Sequence, residues 1–202
     1  MPRPPREFDA GGYYHVHTRG NNKGRVYVDT VDNVVFLAML ERSVAKYEWR
    51  VYSWCLMTNH YHLVLRVPQN GLSQGMSELN GSFGRWSNKR HGRCDHVFGR
   101  RFSAREIVSD AHLLEACRYV VLNPVRAGLC SHPSVSRWSS YRVCAGLDSR
   151  PQPFLALEEM LGLVTTFYGR KKDEAFAAYR EFIEAGMAYD EEGPVPGTGP
   201  SM

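Results

Sequence analysis

Two β-rich runs lie almost end to end: WRVYSWCLM at 49–57 and HYHLVLRV at 60–67, with only Thr58 and Asn59 between them. So short a link predicts a tight hairpin or a bulged join. YYHVHTR at 13–19 alternates and contains β-formers, which predicts another strand, and GNNKG at 20–24 a turn. Residues 32–47 have helical apolar spacing, with Asp32 as N-cap. Residues 72–90 predict a helix with a basic end, and 101–108 a further strand. A helix from Asp110 to about Leu122 is expected to close at Asn123, because Pro124 disfavours helical geometry in the residue before it. The segment 137–146 is ambiguous, and 155–167 and 172–186 carry two more helical patterns.

This order predicts an α+β fold, a ferredoxin-like antiparallel sheet with helices on one face and a C-terminal helical extension. The expected divisions are a loose Pro- and Gly-rich arm at 1–12, a main domain at 13–146, the extension at 147–188 and a disordered acidic tail at 189–202. There is no internal repeat.

No apolar run approaches the ~20 residues of a membrane span, and the N-terminus has no apolar signal region. Five cysteines in no CxxC spacing argue against a zinc or disulfide framework and for a reducing cytoplasm. Of the 25 basic residues, 20 are arginine, the side chain suited to two-pronged phosphate contacts. They concentrate between 85 and 105, where Arg85, Lys89, Arg90, Arg93, Arg100, Arg101 and Arg105 face only Asp95, whereas the C-terminal part is acidic. This asymmetry suggests a nucleic-acid surface on the main domain, although a solvated basic face has the same composition.

Alternate residues of a strand share a face, so His60 and His62 point the same way and could hold a divalent cation. His15 and His17 have the same spacing, and spacing cannot choose between the pairs. The apolar flanks of His60 and His62 favour them, since a rigid central strand is the better platform. At ~100° per residue, Leu113, Ala116, Cys117, Val120 and Val121 form the core stripe of the 110–122 helix. His112, Glu115, Tyr119 and Asn123 cluster on a second face, with Tyr119 and Asn123 one turn apart. A half-buried tyrosine at a core edge fits that face as well as a nucleophile does.

The segments YHVHTRGNNK, WCLMTNHYHLVLRV, FGRRFSAREI, RYVVLNPVRAGL and WSSYRVCAG occur in this order over about residues 12–146. Together they resemble the REP-associated tyrosine transposases, a branch of the single-tyrosine HUH transposases. The resemblance implies a ferredoxin-like fold, Tyr119 as nucleophile, and His60, His62 and Asn123 as ligands of Mg2+ or Mn2+. It places His15 and His17 on the first strand, outside the metal motif, with His15 still able to approach the site.

The implied activity is cutting and rejoining of single-stranded DNA through a 5′-phosphotyrosine link, on palindromic repeats folded as hairpins. Arg19, Asn21, Lys23, Arg85, Lys89, Arg90, Arg100, Arg101 and Arg105 are the expected DNA contacts, and Trp86, Trp138 and Tyr141 could stack on unpaired bases. His112 or Glu115 could assist proton transfer. A monomer or homodimer in the cytoplasm, associated with the nucleoid and with no membrane partner, is expected. The main rival is a domesticated DNA-binding protein without turnover.

Overall fold

The amide of Met57 donates to His60 O at 2.8 Å, closing the expected tight hairpin over Thr58 and Asn59. It joins β2 (Arg50–Leu56) to β3 (His60–Arg66) in a computed structural model that describes residues 8–150 and 152–190. With β1 (Tyr13–Arg19) and β4 (Ser103–Ile107) these strands form one antiparallel sheet in the order β2-β3-β1-β4. Helices α1 (Thr30–Tyr47) and α2 (Leu72–His91) complete the ferredoxin-like unit, and α3 (Asp110–Arg126) follows β4. A short α4 (Tyr141–Cys144) lies in the segment that was ambiguous in sequence, and α5 (Leu157–Tyr168) and α6 (Ala175–Asp190) follow.

The alternation of β3 explains the layering. Tyr61 packs against Phe36 of α1 and donates to Asn80 of α2 at 2.7 Å. Helices α1 and α2 therefore share one face, as expected for the ferredoxin-like pair. Helix α3 takes the opposite face, where Ser53 of β2 donates to Cys117 O and Tyr119 meets His62. The helices thus cover both faces rather than one, because the apolar stripe of α3 needs a wall of its own. Every residue of that predicted stripe is buried. Leu114 and Leu122, outside it, are buried too, since α5 and α6 pack on the back of α3.

Three local expectations change. Asp29, not Asp32, caps α1, accepting from the amides of Val31 and Asp32. Asp32 instead lies in the first turn, with no exposed side-chain surface, bonded to the Val28 amide, Arg90 and His91. Burial pushes its carboxyl up, but the Val28 amide, His91 and Arg90 together outweigh that and hold it below the usual carboxylate range. Asp32→Ala strands part of this charge cluster, so it is expected to lower stability by about 3 kcal/mol in urea unfolding. A loss under about 1 kcal/mol would mean that the network is mostly screened by solvent.

Second, α3 does not stop at Asn123. It runs through Pro124 to Arg126, because the turn is closed by Ala127 N–H on Asn123 O and Leu129 N–H on Pro124 O, both at 2.9 Å. The proline withholds only its own donor, and its ring is buried. Third, residues 8–12 of the expected loose arm are tied down. Gly11 N–H donates to Val67 O at 2.6 Å, Val67 N–H to Gly12 O at 3.0 Å, and Phe8 packs on Tyr14 and Phe102. Residues 1–7 and the acidic stretch after Asp190 lie outside the described residues.

The division drawn at 146 is bridged by contacts. Ala156 N–H donates to Val51 O at 2.7 Å and Tyr52 OH to Glu159 at 2.5 Å, so the extension is seated on β2. Among the described residues, no helix is long and apolar enough to cross a membrane.

Candidate active site

Strand pairing decides which polar residues meet. In the β1–β3 register His17 lies opposite His62 and Arg19 opposite His60, while in β1–β4 His15 lies opposite Arg105. Cross-strand partners share a face, so His15, His17, His60 and His62 form one imidazole cluster, with Arg19 and Arg105 at its two ends. Helix α3 crosses this cluster. The Tyr119 ring stands edge-on to His62 and His15, with centroids 5.8 and 5.6 Å away. The guanidinium of Arg126, two turns further along α3, lies 5.1 Å from the centre of the Tyr119 ring.

The imidazoles are wired in defined ways. His60 Nδ1 is 2.7 Å from Asn59 Oδ1, and Asn59 Nδ2 donates to Lys23 O, which fixes the amide orientation. His60 Nδ1 therefore carries the proton, and its Nε2 keeps a lone pair. His62 Nδ1 lies 2.9 Å from His15 Nε2; with the proton on His62, its Nε2 also stays free to ligate. Such hydrogen bonds orient metal-binding histidines in general.

Burial, followed by the charges of Arg19 and His17, lowers the His60 pKa to about 4. Burial, then His17, Arg105 and His112, lowers His15 to about 4. Burial, then His15 and His60, pushes His62 well below its ordinary value, and burial with Arg105 and Arg19 lowers His17. Each is held below the ordinary imidazole value, which favours the neutral form that binds a cation. The donor set fits a divalent ion: two lone pairs on one face, with an amide on the facing helix. Asn123 donates its Nδ2 to Tyr119 O at 2.8 Å, so its amide oxygen is the atom it could offer to a cation. Among the described residues no three His, Cys, Asp or Glu side chains form a cation cage by themselves, so such an ion would draw on the amide or on substrate oxygens.

An unfolded histidine titrates near ~6.5, whereas His15 and His60 do so at about 4 when folded. As pH falls below ~6.5 the unfolded chain takes up protons first, so stability is complete above that pH and declines towards about pH 4. The urea midpoint of metal-free protein is expected to fall across this window, and to fall less in His15→Gln/His60→Gln. A flat midpoint from pH 7 to 5 would contradict the burial argument.

The structure sorts the expected DNA contacts into groups. Gly20 N–H donates to Asn59 O, Asn21 N–H to Val97 O, and Gly99 N–H to Arg19 O. These bonds join loops 19–24, 58–59 and 97–101, so Arg19, Asn21, Lys23, Arg100 and Arg101 share one rim beside His60. A side chain at Gly20 would collide with Gly24 O and Val26. Gly20→Ala is therefore expected to destabilise this rim by about 1–3 kcal/mol, seen as faster amide exchange at Gly20 and Asn21; unchanged exchange would count against it.

Arg105 belongs with the histidines. Arg85, Lys89 and Arg90 ride on α2, behind the opposite face of the sheet. Arg90 is also bonded to Asp29 and Asp32 at 2.7 and 2.6 Å, which compensates its charge inside the protein. Tyr141, considered as a stacking residue, is fully buried and belongs to the core. Glu115 is held by Arg118, and exposed His112 bonds to the Val108 amide, so neither is wired to Tyr119. Arg126 was not singled out in sequence, because the helix was expected to end before it; its spacing of seven from Tyr119 was the available signal.

Comparison with known proteins gives a family and a fold. The family model described as "Transposase IS200 like" matches residues 10–122, a span that includes His60, His62 and Tyr119 and stops one residue before Asn123. The fold is similar to the solved structure of a REP-associated tyrosine transposase bound to a REP hairpin. That match has a TM-score of 0.62 and 16% identity, covering 75% of this chain and 90% of the other. No curated protein matches.

Proposed function

Because this chain belongs to the IS200-like transposase family, we propose that it cleaves and rejoins single-stranded DNA beside a hairpin, with Tyr119 as nucleophile. His60, His62 and Asn123 would hold Mg2+ or Mn2+. The observation that supports this most is the Tyr119 ring standing 5.8 Å from His62, on the face where the sheet gathers its imidazoles. A hairpin substrate is supported by the structural neighbour, which is bound to a REP hairpin.

A divalent ion at the imidazoles would supply Lewis-acid polarisation of the scissile phosphate. The remaining roles fall to the chain. Tyr119 Oη attacks phosphorus in line and forms an ester; the bond from phosphorus to the 3′-oxygen breaks, and the phenol proton leaves to solvent as the 3′-hydroxyl takes one up. Arg126 and Arg105 offset the phosphate charge. Attack by a 3′-hydroxyl from another strand reverses the step and joins new ends without ATP.

The test is incubation with labelled hairpin DNA carrying single-stranded flanks, with Mn2+. A protein–DNA adduct that survives denaturation and vanishes with chelator is expected. Tight binding with neither adduct nor cleavage would favour a DNA-binding protein without turnover, and free ends without adduct would indicate a nuclease.

A further inference from the structure

Beside the histidine face lies a groove of about 430 Å3 that the roles above leave unused. Its walls come from the β2–β3 turn, the segment at 25–30, the end of α3 and the segment at 135–138. Thr58 on one wall is two residues before His60, and Pro124 on another follows Asn123, so the groove borders the segments that carry those two residues.

The lining has two kinds of chemistry. Val28, Leu129 and Val135 are apolar and 37%, 60% and 62% exposed. They line the groove together with Trp138, whose backbone is pinned by the Leu56 amide donating to Trp138 O at 2.8 Å and whose half-buried side chain packs on the core. Arg25 and Arg137 supply charge, the Arg137 guanidinium lying 6.0 Å from the Trp138 ring centre. The one carboxylate in the lining, Asp29, is paired with Arg90, which it shares with Asp32. A half-buried indole and apolar side chains lining one groove, with two guanidinium groups among them, suit a flat aromatic ring attached to a phosphate chain.

We infer that this groove receives one unpaired base of the DNA flank, stacked on Trp138, with the adjoining phosphates on Arg25 and Arg137. The inference rests on the strand-transfer reading and adds to it a place where the flank is held in register.

The test uses Tyr119→Phe protein, which binds without cleaving, and a DNA hairpin with a single-stranded flank of about eight nucleotides. Each flank nucleotide is made abasic in turn and affinity is measured by fluorescence anisotropy. One position is expected to lose about tenfold. Trp138→Ala should lose the same factor on the intact flank and become indifferent to that abasic site. Should Trp138→Ala fold poorly by circular dichroism, Arg25→Gln and Arg137→Gln are the second probe. Each should lower the slope of log affinity against log salt by about 0.7 for the flanked hairpin and leave a blunt hairpin unaffected. An abasic penalty that persists unchanged in Trp138→Ala, or arginine variants that keep the full salt slope, would overturn the assignment. Adduct formation by the Tyr119 protein is read separately, so loss of the groove and loss of strand transfer give different results.

Discussion

Tyr119→Phe is expected to abolish the covalent protein–DNA adduct, lowering cleavage by about 10^4-fold or more, while hairpin affinity stays unchanged. The substitution deletes one oxygen. The ring that remains keeps its edge contacts with His15 and His62 and its place under Arg126, so neither α3 nor the arginines shift. A nucleophile removed in this way leaves binding intact and chemistry absent. Adduct yield on denaturing gels, beside anisotropy on the same hairpin, separates the two. Residual adduct in the Phe variant would assign the nucleophile to another residue.

Loss of an imidazole is the second large effect. His60→Ala or His62→Ala is expected to weaken Mn2+ binding by about 100-fold or more and to abolish Mn2+-dependent cleavage at micromolar metal. His15→Ala should act more weakly, about tenfold, because it orients His62 through the 2.9 Å contact without supplying a ligand of its own. High Mn2+ should rescue His15→Ala and fail to rescue His62→Ala. Titration calorimetry gives the affinities; equal losses at His15 and His62 would mean that His15 is itself a ligand.

The sheet was largely legible in the sequence because its signals are local. The two-residue link fixes the β2–β3 hairpin, and the alternation of HYHLVLRV fixes which face carries the histidines. What escaped depends on distant neighbours. Pairing of β1 with β3 turns His15 and His17 from a rival pair into members of the same cluster, and nothing in their spacing discloses strand order. The burial of Leu114 and Leu122 depends on α5 and α6, which arrive late in the chain. Pro124 predicts a stop, yet the turn it occupies is closed by its neighbours, so Arg126 lies on the helix beyond the expected end. The basic residues were legible as a composition only. Their sorting into a rim beside His60 and a group on α2 required the bonds that tie loop 97–101 to loop 19–24. Arg90 looked like a phosphate ligand until its carboxylate partners at the start of α1 came into view.

Strand transfer at this site requires the phenol and the imidazoles to share one ion with the DNA phosphate. Pulsed electron paramagnetic resonance of Mn2+ bound to Tyr119→Phe protein and hairpin DNA measures that arrangement directly. Nitrogen couplings from His60 and His62 are expected together with a phosphorus coupling that appears only when DNA is added, and His62→Ala should remove one nitrogen coupling. Manganese that shows phosphorus coupling but no histidine nitrogen, or nitrogen coupling that DNA leaves without phosphorus, would contradict it.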